Sequence, residues 1–213
     1  MRKEPAAKRE IKQERAARTR VEILEAAITL FARRGFLATT MAELAKAIRM
    51  TPGALYWHFP TKEDLLLAAI DELHQRYLNE FVDLLSEHRK LTAREQLISF
   101  MNRTGQFLRY HREYGIFFGM VAAESADANE RVAEALREKL GLYVQVLAGM
   151  LRYGQKRQEF RADLEPEQAA HAMIGAYIGL LLQQNLFRAT VTYDPVLAWL
   201  DRLLVTGLKV QKE

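Results

Sequence analysis

Residues 51–59 read Thr-Pro-Gly-Ala-Leu-Tyr-Trp-His-Phe. A hydroxyl, a phenol, an indole N–H and an imidazole stand close together there, a dense set of hydrogen-bonding groups, most of them on rings. Such groups serve to fill an aromatic core, to stack on a flat cofactor, or to touch the polar edges of a partner. Catalysis is the least supported use. The chain has no G-x-S-x-G, H-E-x-x-H, Walker-type or G-x-G-x-x-G pattern. Its histidines, His58, His74, His88, His111 and His171, form no i, i+4 pair with each other. Cysteine is absent, which excludes disulfides and thiolate metal sites and fits a reducing cytoplasm. The expectation is a protein that is not an enzyme and needs no cofactor or metal.

At about 100° per residue, Leu55 and Phe59 share one face of a short helix. Thr51, Pro52, Ala54, Trp57 and His58 point the other way. Tyr56 sits at the edge, its hydroxyl free to reach a phosphate. Gly53 and Ala54 remove bulk where a groove floor would approach. A helix buried in a core has no need of Thr-Pro-Gly at its start. The layout suits a helix that enters a DNA major groove N-terminus first.

So short a helix is not stable alone and must be held by others. Met41, Leu44, Ala45 and Ile48 line one face of a preceding helix over 41–48, and Thr51 opens the next after a tight turn. That spacing predicts a helix-turn-helix. It packs on a helix over 20–34 through Ile23, Leu24, Ala27, Ile28 and Phe31. The rest of the chain repeats near 3.6 residues, with no strand-like alternation. Thr19-x-x-Glu22, Thr40-x-x-Glu43, Thr61-x-x-Asp64, Thr92-x-x-Glu95 and Asp127-x-x-Glu130 resemble capping boxes. Thr51-Pro52 and Asp194-Pro195 put a cap before a proline. The chain reads as all-α, with nine helices at about 20–34, 41–48, 52–58, 62–88, 92–111, 113–124, 128–157, 166–188 and 195–209. The short helices give way to long ones near residue 65.

Residues 20–66 resemble the DNA-binding domain of the TetR family of transcriptional repressors. The match runs through Gly35-Phe36, then T-T-M-A-E-L-A-K-A-I, then T-P-G-A-L-Y-W-H-F-P-T-K-E-D-L-L. The Gly-Ala-Leu-Tyr-Trp-His-Phe form is most similar to the AcrR-like branch of multidrug-efflux repressors. The resemblance implies roles by position. Thr40 caps the second helix and meets a phosphate. Tyr56, His58 and Lys62 contact the DNA backbone. Thr51, Pro52, Gly53, Ala54 and Trp57 lie nearest the base edges, and Leu55 and Phe59 hold the helix in place. Where the family usually has Gly-Val in the turn, this chain has Arg49-Met50. Either the turn differs, or Arg49 accepts a left-handed backbone at a cost of about 1 kcal/mol and gains a phosphate contact.

From about residue 67 the resemblance is one of organisation only. A TetR-like bundle would dimerise and sense a ligand. Ala172, Gly175, Ala176 and Gly179 form a small-residue stripe, and Leu197, Leu200, Leu204 and Gly207 lie on the last helix. Ala172, Gly175, Gly179, Leu197, Leu200 and Leu204 are the expected dimer interface. Phe100, Thr104, Phe107, His111, Phe117, Phe118, Tyr143 and Tyr177 are the expected lining for a small hydrophobic or aromatic effector. The domains read as a basic arm (1–18), the helix-turn-helix domain (19–66) and a sensing and dimerisation domain (67–213). The expected partners are double-stranded operator DNA, the effector and a second copy of the chain. An alternative on the same fold is a ligand-independent architectural or cell-division factor.

Charge is uneven. The net charge is +4, yet residues 1–20 carry eight Lys/Arg against three Asp/Glu, leaving the remainder near neutral. Past Met1, Ile11 is the one apolar side chain of any size in residues 1–18, so this arm cannot bury itself, and its charge fits a phosphate backbone. It is expected to be mobile or loosely helical without DNA. The opening residues, with no apolar run, are not expected to act as a signal peptide, and the longest apolar run, 172–182, falls short of the ~20 residues that span a membrane.

Overall fold

A computed structural model describes residues 6–81, 91–187 and 192–208. Among them the chain is helical throughout: α1 (Ala6–Arg34), α2 (Met41–Ala47), α3 (Pro52–His58), α4 (Lys62–Asn79), α5 (Ala93–Tyr110), α6 (Arg112–Ser125), α7 (Glu130–Lys156), α8 (Pro166–Leu186) and α9 (Tyr193–Gly207). The first three make a small head and the last five a bundle. α4 joins them, packing along its length on both α1 and α7. The expected continuation of α4 over 82–88, and residues 188 and 209, lie outside the described residues.

Several helix ends follow the sequence. Thr40 closes a full capping box with Glu43, and Thr92 does the same with Glu95. The Thr51 and Thr61 hydroxyls accept from the Ala54 and Asp64 N–H groups. Others differ. α1 begins at Ala6, not near residue 20, because Ala, Lys, Arg, Glu and Gln dominate residues 6–18 and no Gly or Pro interrupts them. Thr19 is therefore inside a helix and caps nothing. α7 is capped by Asn129, whose side chain accepts from Val132 N–H, and not by Asp127. α9 starts at Tyr193, so neither Asp194 nor its proline marks the boundary.

One continuous core runs from head to bundle. In the head, Ile23, Leu24, Ala27, Ile28 and Phe31 of α1 meet Leu44, Ala45, Leu55 and Phe59, all buried. The small helices contribute too little buried surface to stand without that helix. Phe31 also lies 6.4 Å, ring to ring, from Phe117 of α6, which carries the core across into the bundle.

Candidate nucleic-acid interface and interior cavity

The α3 sequence sorts its side chains as its periodicity demands. Leu55 and Phe59 are 0% and 2% exposed, and Arg20 of α1 stands 4.6 Å over the Phe59 ring. On the outer side Tyr56 is 49% exposed and Trp57 75% exposed. Thr51, Pro52, Gly53 and Ala54 are exposed at the α3 N-terminus, and His58 is half-buried against the edge of Trp57. A ring cluster that served as core would not leave Trp57 in solvent. The four leading residues, Tyr56 and Trp57 thus share one uncovered surface, together with Thr40 at the start of α2.

Arg49 has φ +56°, so the turn keeps its left-handed residue without glycine. Its side chain is exposed. Arg49→Gly should raise folding stability by about 1 kcal/mol in urea unfolding. If the guanidinium neutralises a phosphate, the same variant loses about 0.9 from the slope of log affinity against log salt.

Lys62 requires a correction. It was expected on the DNA backbone, but its ammonium donates to the Phe36 and Thr39 carbonyls at 2.8 and 2.9 Å and stands 4.3 Å over the Phe36 ring. Desolvation holds its pKa below the usual lysine range. It ties down the α1–α2 turn and is not presented as a free cation. On the other side of that turn, Gly35 takes φ +84°, and Glu124, near the end of α6, accepts from the Phe36 and Leu37 N–H groups at 2.7 and 3.1 Å. A Cβ at residue 35 would collide with the Glu124 carboxylate. A second attachment lies one helix on: Asn129 and Arg131, at the start of α7, bond Glu63 and Asp64 at the start of α4.

The bundle holds an apolar, partly open cavity of ≈ 80 Å³. Tyr77 of α4, Phe100, Met101, Thr104 and Leu108 of α5, Tyr114, Gly115 and Phe118 of α6, Leu140, Tyr143 and Leu147 of α7, and Met173, Ile174, Tyr177, Ile178 and Leu181 of α8 line it. Of the expected lining, Phe100, Thr104, Phe118, Tyr143 and Tyr177 come together here. Phe107, His111 and Phe117 do not. Phe107 is buried behind Tyr77 and Tyr114; Phe117 turns 100° from Phe118 to meet α1; His111 occupies the α5–α6 corner, its ring 4.6 Å from Phe107. Sequence reasoning missed Tyr77 and Tyr114. Tyr77 continues the Leu66, Ile70, Leu73 stripe of α4, so the periodicity offered a signal for burial but none for a void.

The cavity hydroxyls bond one another or a neighbour. Tyr77 meets Thr104 at 3.0 Å, Tyr114 meets Tyr143 at 2.9 Å, Tyr143 meets His74 Nδ1 at 2.7 Å, and Tyr177 donates to Asp201 at 2.6 Å. Burial pushes Tyr143 up to about 12 and Tyr77 and Tyr114 well above the usual phenol range. Desolvation also raises Asp201, opposed by the bond from Tyr177, and lowers His74. No group of three or more His, Asp or Glu that could hold a metal is found among the described residues.

The expected dimer face divides. Leu197 is buried and its Cδ2 fills the space beside Gly105, so it belongs to the core; Leu200 and Leu204 pack partly against the same core. The open face instead holds Ala172, Gly175, Leu182 and Leu186 of α8 with Trp199 and Leu203 of α9; Leu186, Trp199 and Leu203 are 76%, 62% and 66% exposed. Gly175 and Gly179 have open space where a Cβ would stand.

A helix-turn-helix head with an uncovered reading helix, set on a helical bundle, defines a DNA-binding transcriptional regulator. Residues 23–69 match the family of bacterial regulatory proteins called the tetR family, and residues 93–200 match the tetracyclin repressor-like C-terminal domain. The chain belongs to the TetR family. It is 28% identical over 208 residues to the HTH-type transcriptional regulator TtgR of Pseudomonas putida, covering 92% of each chain. It is 30% identical over 190 residues to the probable acrEF/envCD operon repressor of Escherichia coli, covering 84% of this chain and 80% of that one. The crystal structure of the MbdR regulator from Azoarcus sp. CIB shares the fold with a TM-score of 0.76 at 21% identity, over 89% of this chain and 98% of that one. No helix among the described residues is long and apolar enough to cross a membrane.

Proposed function

We propose that the chain is a homodimeric repressor whose operator binding is relieved by a small apolar or aromatic ligand in the bundle cavity. One observation carries the ligand response. α6 contributes Tyr114, Gly115 and Phe118 to the cavity wall and, two turns on, Glu124 to the turn that precedes the reading helices. A ligand that displaces α6 therefore acts on the head through a rigid element with a hydrogen-bonded end. The cavity supports this reading over the ligand-independent architectural one, which a solid bundle would favour. We assign residues 19–66 as the reading domain and 67–213 as the sensing and dimerisation domain.

Thr51, Pro52, Gly53, Ala54 and Trp57 read base edges, and Thr40, Arg49, Tyr56 and His58 meet phosphates. Two heads related by the α8–α9 seam address half-sites about 34–36 Å apart, or a comparable spacing on distorted DNA. Selection of bound duplexes from a random pool tests the reading. Inverted repeats should be enriched and bound by two chains; selection of no common sequence overturns it.

The arm adds affinity and no sequence preference. Residues 1–18 carry Arg2, Lys3, Lys8, Arg9, Lys12, Arg15 and Arg18, and from Ala6 the backbone runs unbroken into the part of α1 that packs in the head. Deleting residues 1–17 should flatten the salt slope by roughly 1–4 units on operator and random DNA alike. An unchanged slope makes the arm a solvated tail.

A further inference from the structure

Gly53 is not explained by the protein around it. It stands in α3 without the positive φ that Gly35 adopts. A Cβ built on it would meet nothing within 4 Å. A glycine inside a helix weakens it relative to alanine, and here nothing within the protomer compensates. Gly53 and Trp57 lie four apart, on the side of α3 away from Leu55 and Phe59. Leu55 and Phe59 are buried, while Thr51, Pro52, Gly53, Ala54 and Trp57 are exposed. Gly53 therefore leaves a methyl-sized notch in the outer surface of the reading helix, with Pro52 and Ala54 beside it and Trp57 one turn on.

The side chains of α3 restrict what that surface can read. Pro-Gly-Ala-Leu-Tyr-Trp-His holds no Arg, Lys, Asn, Gln, Asp or Glu, the types that grip the edges of guanine, adenine and cytosine. Thr51 Oγ1 already accepts from the Ala54 N–H at 3.2 Å, which leaves its O–H to donate outward. The Trp57 indole N–H only donates. Those donors suit a base edge that carries an acceptor, and the apolar Pro52 and Ala54 suit a methyl. Thymine presents both in the major groove, the O4 acceptor beside the C5 methyl. The exposed cations Lys46 and Arg49 precede α3, on α2 and in the turn, and supply positive charge beside the notch for a duplex.

We propose that Gly53 is a specificity-determining residue of the reading helix: the C5 methyl of a thymine in each operator half-site fills the notch that it leaves. This rests on the reading of α3 as the helix that enters the major groove. The contact is apolar, so it adds sequence preference without adding to the salt slope. Burying one methyl changes affinity about fourfold. Two symmetric half-sites bring that to roughly 16-fold for the whole duplex.

The test uses the palindromic duplex recovered by selection, with each thymine of the half-site replaced in turn by uracil in both halves. Uracil keeps the O4 acceptor and the base pair and removes only the methyl. Binding of the full chain is read by fluorescence anisotropy. At one or more positions the uracil duplex should bind roughly 16-fold more weakly than the thymine duplex. Gly53→Ala fills the notch with its own methyl. It should bind the thymine duplex more weakly than the unaltered chain does, and at one of those positions it should prefer uracil. Its midpoint in urea should rise, because alanine replaces a helical glycine in open space. A fall would show that the fold itself requires Gly53 and would overturn the proposal. Uracil tolerated at every position overturns it as well. So does a thymine preference that Gly53→Ala leaves unchanged, because the methyl then acts through the stiffness of the duplex. A common half-site without thymine overturns the methyl contact and leaves α3 as the reading helix. Selection of no common sequence overturns both readings together.

Discussion

Glu124→Ala is expected to leave ligand binding intact and to remove about half of its leverage on DNA. The carboxylate makes charge-assisted bonds to two backbone N–H groups of the α1–α2 turn, each of a kind worth about 1.5–3 kcal/mol. The variant therefore loses the α6 attachment but keeps the one from Asn129 and Arg131 to α4. Allosteric couplings usually change affinity 5–150-fold. With two attachments sharing the coupling free energy, the variant should respond only roughly 2–12-fold. Operator affinity measured with and without saturating ligand checks this, with ligand affinity measured separately. A full response in Glu124→Ala would place the transmission in α7 and α4 alone.

Leu203→Glu is expected to separate the dimer and take operator affinity with it. Leu203 is 66% exposed on α9 beside Trp199, so the substitution leaves the protomer core untouched. In the seam it sets a carboxylate in an apolar face that is symmetry-related to itself. Joining two heads multiplies affinity by about 10²–10⁴ through effective concentration, and this is the factor lost. Sizing should show a monomer with an unchanged helical spectrum. A monomer that still binds the full operator tightly would mean that the head alone suffices.

The reading head was legible because its signals are local. Thr40, Thr51 and Thr61 cap where they stand, and Leu55 and Phe59 separate from Trp57 by helical phase alone. Arg49 could be named as a strained residue from its type and place in the turn, and its φ of +56° is that strain. The bundle was less legible because its signals are relative. Phe117 and Phe118 are equally apolar, and only the position of α1 decides that Phe117 meets Phe31 while Phe118 meets the cavity. Leu197 shares its stripe with Leu200 and Leu204, and only the gap beside Gly105 turns it inward. Lys62 was misassigned for the same reason. A lysine at a helix start invites a phosphate, but two carbonyls 23 and 26 residues away reach it first.

An occupant of the cavity should weaken the hold of α3 on its operator. The direct measurement is fluorescence anisotropy of a labelled operator, recovered by selection and bound to the full chain, titrated with a panel of small apolar and aromatic compounds that includes organic acids. At least one compound should lower operator affinity 5–150-fold while binding one molecule per chain, and bulky substitution at the cavity residue Thr104 should abolish the effect without changing affinity for DNA alone. An operator that stays equally bound across the whole panel, including compounds shown by calorimetry to occupy the cavity, would contradict it.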